Sequence, residues 1–227
     1  MSDPTLNAIA LMVFALTLAS LLGPLVNLSP GPIATIVGIG LAFFALDQLN
    51  FQGRFRDLVG NSLAWLSPAH RQRVLHHEAG HFLAAVLLEI PVQAYSLNSW
   101  ENWRQGLPGQ GGVVFGWPEE ELQSQLQLRA PQWIDRYCQV WMAGIAAEQL
   151  IYGDALGGAS DIYALRLFWQ AVGCPRAEAM TKERWATLQV TNLLSQHRST
   201  YDALVQAMAD RTAVETCYAM IQGPSKS

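Results

Sequence analysis

Two long apolar runs open the chain. Residues 6–28 carry no charged side chain, and at about 1.5 Å per residue they are long enough to cross a hydrocarbon core of roughly 30 Å. Residues 33–49 form a second, shorter apolar run with a single acid. The pattern predicts a transmembrane anchor over residues 1–51 and a juxtamembrane linker over residues 52–66. The shorter run also suits a buried core helix, so the pattern leaves one or two spans open.

A helical period begins again after the linker. Ser67 is a suitable N-cap residue, and Pro68 suits the first position of a helix. The apolar period then continues to Ile90 and stops before Pro91. We therefore expect one long helix in this region.

The rest of the pattern is mainly helical with a small β element. Alternation around Tyr95 and the apolar run Val113–Phe115 predict two short strands joined by a Gly-rich loop. From Glu119 onward the period is helical, and it ends in a helical hairpin over residues 181–221. The sequence therefore predicts a mainly α domain with a small β element over residues 67–227.

Charge separates the two parts of the chain and limits its partners. The formal net charge is -4 with 14% charged residues, which argues against nucleic acid as a partner. No Lys or Arg precedes Arg54, so the first run lacks the basic segment of a cleaved secretory signal. Arg54, Arg56, Arg71 and Arg73 all follow the second run. This bias predicts an integral membrane protein, in contact with lipid, whose folded domain lies on the cytoplasmic side, or the stromal or matrix side in an organelle.

The predicted long helix carries the sequence His77-Glu78-Ala79-Gly80-His81. Spacing of four residues places the two imidazoles on one helix face, where both can bind one zinc ion. Glu78 lies beside the first ligand and can act as general base. A glycine costs a helix interior about 1 kcal/mol relative to alanine, so Gly80 indicates a backbone or a strand packed close by. Among sequences of this composition, roughly one in two hundred would contain such a motif by chance.

Catalytic zinc needs a third protein ligand besides the two histidines. His70 lies seven residues before His77, about 10 Å along the helix, and is too far away. His76 projects about 100° away from His77, and we expect it to be solvated or to support a ligand. His197 is compatible by spacing, although a surface position suits it better. The three cysteines form no CxxC pair, so the acids remain the main candidates.

Four ordered segments resemble the peptidase domain of the FtsH-type membrane-anchored zinc proteases. Residues 77–81 match its HEAGH, and residues 109–120 resemble its glycine-bearing strand followed by a proline and acids. Residues 143–153 resemble its GGRxAEExxxG helix, and residues 157–161 resemble its GAxxD turn. The resemblance covers roughly residues 67–220 and is far more specific than HExxH alone.

The resemblance implies a zinc-dependent endopeptidase in which His77, His81 and Asp161 bind the metal. Glu78 would be the general base for a zinc-bound water. Glu148 would orient a ligand imidazole, and it is the alternative third ligand. The resemblance also implies a homo-oligomer or docking onto an ATPase-bearing relative.

The sequence departs from the family pattern in two ways. Ile145 and Gln149 stand where the family has Arg and a second Glu. No GxxxxGK[ST] loop occurs, so the chain resembles a stand-alone form without the ATPase module. We therefore expect unfolded or membrane-associated proteins as substrates.

Two other functions fit parts of this pattern. An accessory or assembly factor of a membrane protein complex would keep the peptidase fold with weak or no activity, and the departures at Ile145 and Gln149 favour it slightly. An intramembrane zinc protease would need its motif within a span. Charges at Arg71, Arg73 and Glu89 around the motif argue against that reading.

Overall fold

A computed structural model describes much of the chain. The described residues are 13–14, 16–18, 21, 31, 34–35, 37–39, 67–106, 112–116, 131–171 and 173–223. The chain divides into two compact units, Met1–Ser67 and Pro68–Ser227.

The first unit contains the region of the predicted anchor. Its described residues before Ser67 are helical. Among the residues that the structure describes, no helix combines the length and apolar character needed to cross a bilayer. Most of the predicted spans 6–28 and 33–49, and the whole linker 52–66, lie outside the described residues, so the anchor stays a prediction.

The second unit begins with the helix that carries the motif, α1 (Pro68–Leu87). It ends three residues before the predicted end at Ile90, because Glu89 adopts a left-handed conformation with φ 61°. The Ile90 N–H donates to the Ala85 carbonyl and the Glu89 N–H donates to the Val86 carbonyl. These two bonds form a Schellman ending. Glycine usually occupies this left-handed position. Because Glu89 stands there instead, the sequence pattern did not indicate that the helix ends here.

The predicted β element is a two-stranded antiparallel sheet. Strand β1 (Val92–Ser96) pairs with strand β2 (Gly112–Phe115), with Tyr95 opposite Val113. A short helix, α2 (Ser99–Arg104), follows β1 in the segment for which the sequence predicted only a loop. Strand β2 packs against α1, which places the sheet beside the motif.

The remaining described part of the unit is helical. The helices are α3 (Pro131–Tyr152), α4 (Ala159–Ala171), α5 (Arg176–Gln196), α6 (Arg198–Ala209) and α7 (Val214–Gln222). The predicted hairpin over 181–221 is wrong, because this region contains parts of three helices. The helical conformation is interrupted at His197, which separates α5 from α6. It is interrupted again before α7, where Arg211 is left-handed with φ 57°.

The core is centred on the packing of α1 against α3. Helix α3 packs in turn against α5, and α6 covers another side of α1. Phe82, Leu83 and Leu165 are among the fully buried apolar side chains. The prediction of a mainly α domain with a small β element is confirmed by this arrangement.

Candidate metal centre

His77, His81 and Asp161 converge on one point inside the second unit. The Nε2 atoms of His77 and His81, one turn apart on α1, lie 3.1 Å from each other. Asp161, in the first turn of α4, brings its Oδ2 atom to 3.1 Å from His77 Nε2 and 3.6 Å from His81 Nε2. Both histidines are buried. The three side chains form a group that could hold a metal ion.

Two glycines allow α1 and α3 to approach closely enough to build this point. A Cβ on Gly80 would lie 2.6 Å from the Ala147 Cβ and 2.7 Å from the Ala143 carbonyl oxygen. A Cβ on Gly144 would overlap the imidazole of His77. The close backbone contact predicted from Gly80 is confirmed, and the neighbour is helix α3.

Hydrogen bonds at the other ring nitrogens fix which atoms face the centre. His81 Nδ1 lies 2.7 Å from the Val140 carbonyl oxygen, and His77 Nδ1 lies 2.8 Å from Glu148 Oε1. A carbonyl oxygen and an ionised carboxylate can only accept hydrogen bonds, so each Nδ1 must donate. In the neutral tautomer, the Nε2 atom of each histidine therefore carries a lone pair. The two Nε2 atoms face each other and Asp161.

This set of donor atoms fits a tetrahedral zinc ion. Two Nε2 lone pairs and one carboxylate oxygen repel one another unless a cation lies between them. Ligand atoms around a tetrahedral zinc ion with bonds of about 2.0–2.1 Å are roughly 3.3–3.4 Å apart. The observed separations of 3.1, 3.1 and 3.6 Å bracket that value. Two imidazoles and one carboxylate supply three donor atoms, one fewer than a tetrahedral ion takes.

The pKa values of the site without a metal ion also indicate that positive charge is stabilised there. Burial by itself lowers the pKa of His77, but its hydrogen bonds with Asp161 and Glu148 raise that pKa to about 10. Against the effect of burial, the imidazoles of His81 and His77 lower the pKa of Asp161 well below its usual range. A proton on His77 therefore takes the place of the cation when no metal is bound.

Glu78 lies beside this group without belonging to it. Burial raises the pKa of its carboxyl group, while the imidazoles of His77 and His81 oppose the rise and the Val113 backbone donates a hydrogen bond to it. A Cβ on Gly112 would lie 3.5 Å from Glu78 Oε2, so strand β2 passes directly by the carboxylate. The cavity here has a volume of about 220 Å³ and is lined by His77, Glu78, His81, Gly112, Val113, Phe115, Trp141, Ser160 and Asp161.

The other candidate ligands lie apart from the three converging atoms. His76 Nδ1 lies 2.9 Å from the Tyr201 hydroxyl, which places it on a different side of α1. His197 lies between α5 and α6, and His70 is half-buried with a pKa lowered by burial. Within the described part of the chain, none of these three belongs to the metal-binding group. Glu148 contacts His77 Nδ1, the nitrogen on the far side of the ring from the centre.

Sequence reasoning missed several residues that shape the site. Gly144 was detectable, because a glycine inside a helix carries the same signal that was read at Gly80. Arg73 lies four residues before His77, a spacing that places it on the same helix face, yet its charge was used only to predict membrane orientation and to argue against an intramembrane motif. Phe115 and Trp141 line the cavity. Phe115 was predicted only as part of a strand, and Trp141 belongs to no distinctive motif.

Comparison with known proteins adds no functional assignment, so the chemistry of the site has to supply one. No protein-family model and no curated protein matches the chain. The donor atoms, their hydrogen bonds and the adjacent carboxylate therefore carry the functional argument.

Proposed function

We propose that this chain is a zinc-dependent endopeptidase, similar to the peptidase domain of the FtsH-type membrane-anchored zinc proteases but without an ATPase module. The observation that carries the proposal is the convergence of His77 Nε2, His81 Nε2 and Asp161 Oδ2 beside the carboxylate of Glu78. A structural zinc site would close its fourth position with another protein ligand. A carboxylate beside an open position instead suits hydrolysis.

Different residues of the site carry out different parts of the proposed hydrolysis. Zinc, when bound by His77, His81 and Asp161, would act as a Lewis acid on a peptide carbonyl and on water. Glu78 accepts a proton from the attacking water at its carboxylate and returns a proton to the nitrogen of the leaving amine. Burial raises the pKa of the Glu78 carboxyl group, the direction that makes its carboxylate a stronger base.

The walls of the cavity support an extended peptide as substrate. The backbone of strand β2 runs past Glu78, and main-chain groups of a strand can hold an extended chain by hydrogen bonds. Phe115 and Trp141 add apolar surface for a substrate side chain. The sequence contains no GxxxxGK[ST] loop to power unfolding. Unfolded or membrane-associated proteins therefore suit this site best.

Metal analysis and a cleavage assay on the same purified chain test the proposal. We expect stoichiometric zinc and ATP-independent cleavage of a loosely folded protein such as casein. A chelator should stop cleavage, and added zinc should restore it. A tightly folded domain should stay intact.

The two components of the proposal fail in different ways. Stoichiometric zinc without cleavage of any loose substrate would favour the alternative, an accessory or assembly factor that keeps the peptidase fold. Absence of bound metal after zinc loading would overturn the metal centre itself. ATP-stimulated digestion of a tightly folded domain by the isolated chain would contradict the stand-alone reading.

A further inference from the structure

Arg73 lies one helical turn before His77 on α1 and reaches two other segments. Its Nη1 atom lies 3.1 Å from Glu148 Oε2 on α3. Its Nη2 atom donates to Asp154 Oδ1 at 2.9 Å, in the loop that follows α3. The guanidinium also lies over the ring of Tyr152, with its central carbon 4.3 Å from the ring centre. One planar side chain therefore joins α1, the end of α3 and the following loop.

Glu148, near the end of α3, accepts hydrogen bonds from the other two of these segments, α1 and the loop. Its Oε1 atom accepts from His77 Nδ1 at 2.8 Å and from the Gly157 N–H at 3.1 Å. Its Oε2 atom accepts from Arg73 and, at 2.9 Å, from the Leu156 N–H. The Glu148 side chain is only 2% exposed. Because it is buried and ionised, each of these donors is needed to offset the loss of hydration.

The loop held in this way leads directly to the third side chain of the centre. Leu156 and Gly157 donate to Glu148, and Asp161 follows four residues after Gly157 in the first turn of α4. Arg73 also donates to the carbonyl oxygen of Asp154 at 3.3 Å. The same carboxylate thus orients the His77 ring and anchors the segment that delivers Asp161.

We propose that Arg73 is a positioning residue for the metal centre, acting through Glu148 and Asp154. The inference rests on the proposed function, because it assumes that His77 and Asp161 bind the metal. Arg73 touches no converging atom itself. Its removal leaves Glu148 with one charged donor fewer and releases the loop at Asp154, so the His77 ring and the Asp161 carboxylate lose their common support.

The test measures the zinc affinity of the purified chain by competition with a chromophoric chelator. For Arg73→Gln we expect about 10- to 100-fold weaker zinc binding, the usual effect of losing a group that orients a ligand. Arg73→Lys keeps the charge but not the planar fork, so its affinity should lie between those of Arg73→Gln and the unchanged chain. The matched control is Arg136→Gln, which removes an exposed ion pair with Glu89 and should change affinity by less than about threefold.

Two further readouts separate positioning from general loss of structure. The visible spectrum of the cobalt(II)-loaded chain reports ligand geometry, and we expect it to change in Arg73→Gln and not in Arg136→Gln. Thermal unfolding of the metal-free variants reports stability alone. Asp154→Asn covers the case in which Arg73→Gln fails to fold, because the Asp154 side chain is 55% exposed. Its zinc affinity should fall by about tenfold, the lower end of the roughly 10- to 100-fold range.

The outcomes distinguish this inference from the proposed function. Folded Arg73→Lys and Asp154→Asn variants with unchanged zinc affinity and an unchanged cobalt spectrum would overturn the positioning role. Lower unfolding temperatures with unchanged affinity would assign Arg73 a purely structural role and overturn it as well. Zinc binding by the unchanged chain without peptide cleavage would overturn the peptidase activity and leave the affinity test of Arg73 valid. A chain that binds no zinc would overturn both.

Discussion

His77 Nδ1 donates a hydrogen bond of 2.8 Å to Glu148 Oε1, a side chain 71 residues later in the sequence. This contact directs the opposite ring nitrogen, Nε2, toward His81 and Asp161. A carboxylate behind a ligand imidazole also increases the basicity of that imidazole. The contact therefore places the two acids near His77 on opposite sides of the ring, with Asp161 on the side of His81 and Glu148 behind it.

Glu78→Gln should keep the metal and lose the reaction. The amide cannot accept a proton from water, and both imidazoles stay in place, so we expect unchanged zinc content and at least about 100-fold lower turnover. Metal analysis and initial rates on a loosely folded substrate measure the two quantities. Glu89→Gln, on an exposed side chain of the same region, is the control and should cleave normally. Near-normal turnover of Glu78→Gln would remove Glu78 from the role of general base.

Asp161→Asn should weaken zinc binding more than Glu148→Gln does. Asp161 supplies an oxygen that faces both Nε2 atoms, whereas Glu148 acts through the far nitrogen of His77. We expect about 10- to 100-fold weaker binding for Glu148→Gln and a larger loss for Asp161→Asn. Competition with a chelator measures both, with Asp202→Asn on an exposed ion pair of α6 as control. A larger loss for Glu148→Gln would reverse the two roles.

Gly144→Ala should abolish zinc binding although alanine favours helices. In an exposed helix interior this change would stabilise by about 1 kcal/mol. Here the added methyl group would overlap the imidazole of His77, and forcing an extra group into a packed interior costs roughly 1–3 kcal/mol. Zinc affinity and thermal unfolding check the expectation, with Gln149→Ala on the exposed face of the same helix as control. Zinc affinity equal to that of the unchanged chain would show that α1 and α3 can separate without harm.

The apparent zinc affinity should rise with pH. In the metal-free chain the pKa of His77 is raised from 6.5 to about 10, so zinc must displace a proton at neutral pH. Below that pKa, affinity should increase by up to about tenfold per pH unit for one displaced proton. The sign for stability is opposite: the raised pKa stabilises the metal-free fold below pH 6.5, and this contribution is lost as pH rises toward 10. Competition titrations across this range that show constant affinity would contradict a protonated His77.

The features that depend on neighbouring residues could be predicted from the sequence. Spacing of four residues places His77 and His81 on one helix face whatever the rest of the chain does. Alternation around Tyr95 and the run Val113–Phe115 was enough to predict both strands, which the structure contains. Gly80 indicated a close backbone neighbour because its cost in a helix needs a compensating contact.

Helix ends were less predictable, because the residues at these ends are not the glycine or proline that usually marks them. Glu89 and Arg211 take left-handed conformations that glycine usually provides, so the pattern suggested a longer α1 and a continuous final hairpin. The break at His197 carries no proline or glycine either. The short helix Ser99–Arg104 falls in a segment whose polar composition also suits a loop.

Contacts between residues far apart in the chain complete the site, and these depend on how the helices pack. Asp161 lies 84 residues after His77, and Glu148 lies 75 residues after Arg73. No local spacing relates such positions; the family resemblance named Asp161 and Glu148, and the packing of α1 on α3 brings them into contact. That packing also selects the ring nitrogen of each histidine that faces the centre, because the buried carboxylate of Glu148 and the carbonyl of Val140 each require a donor.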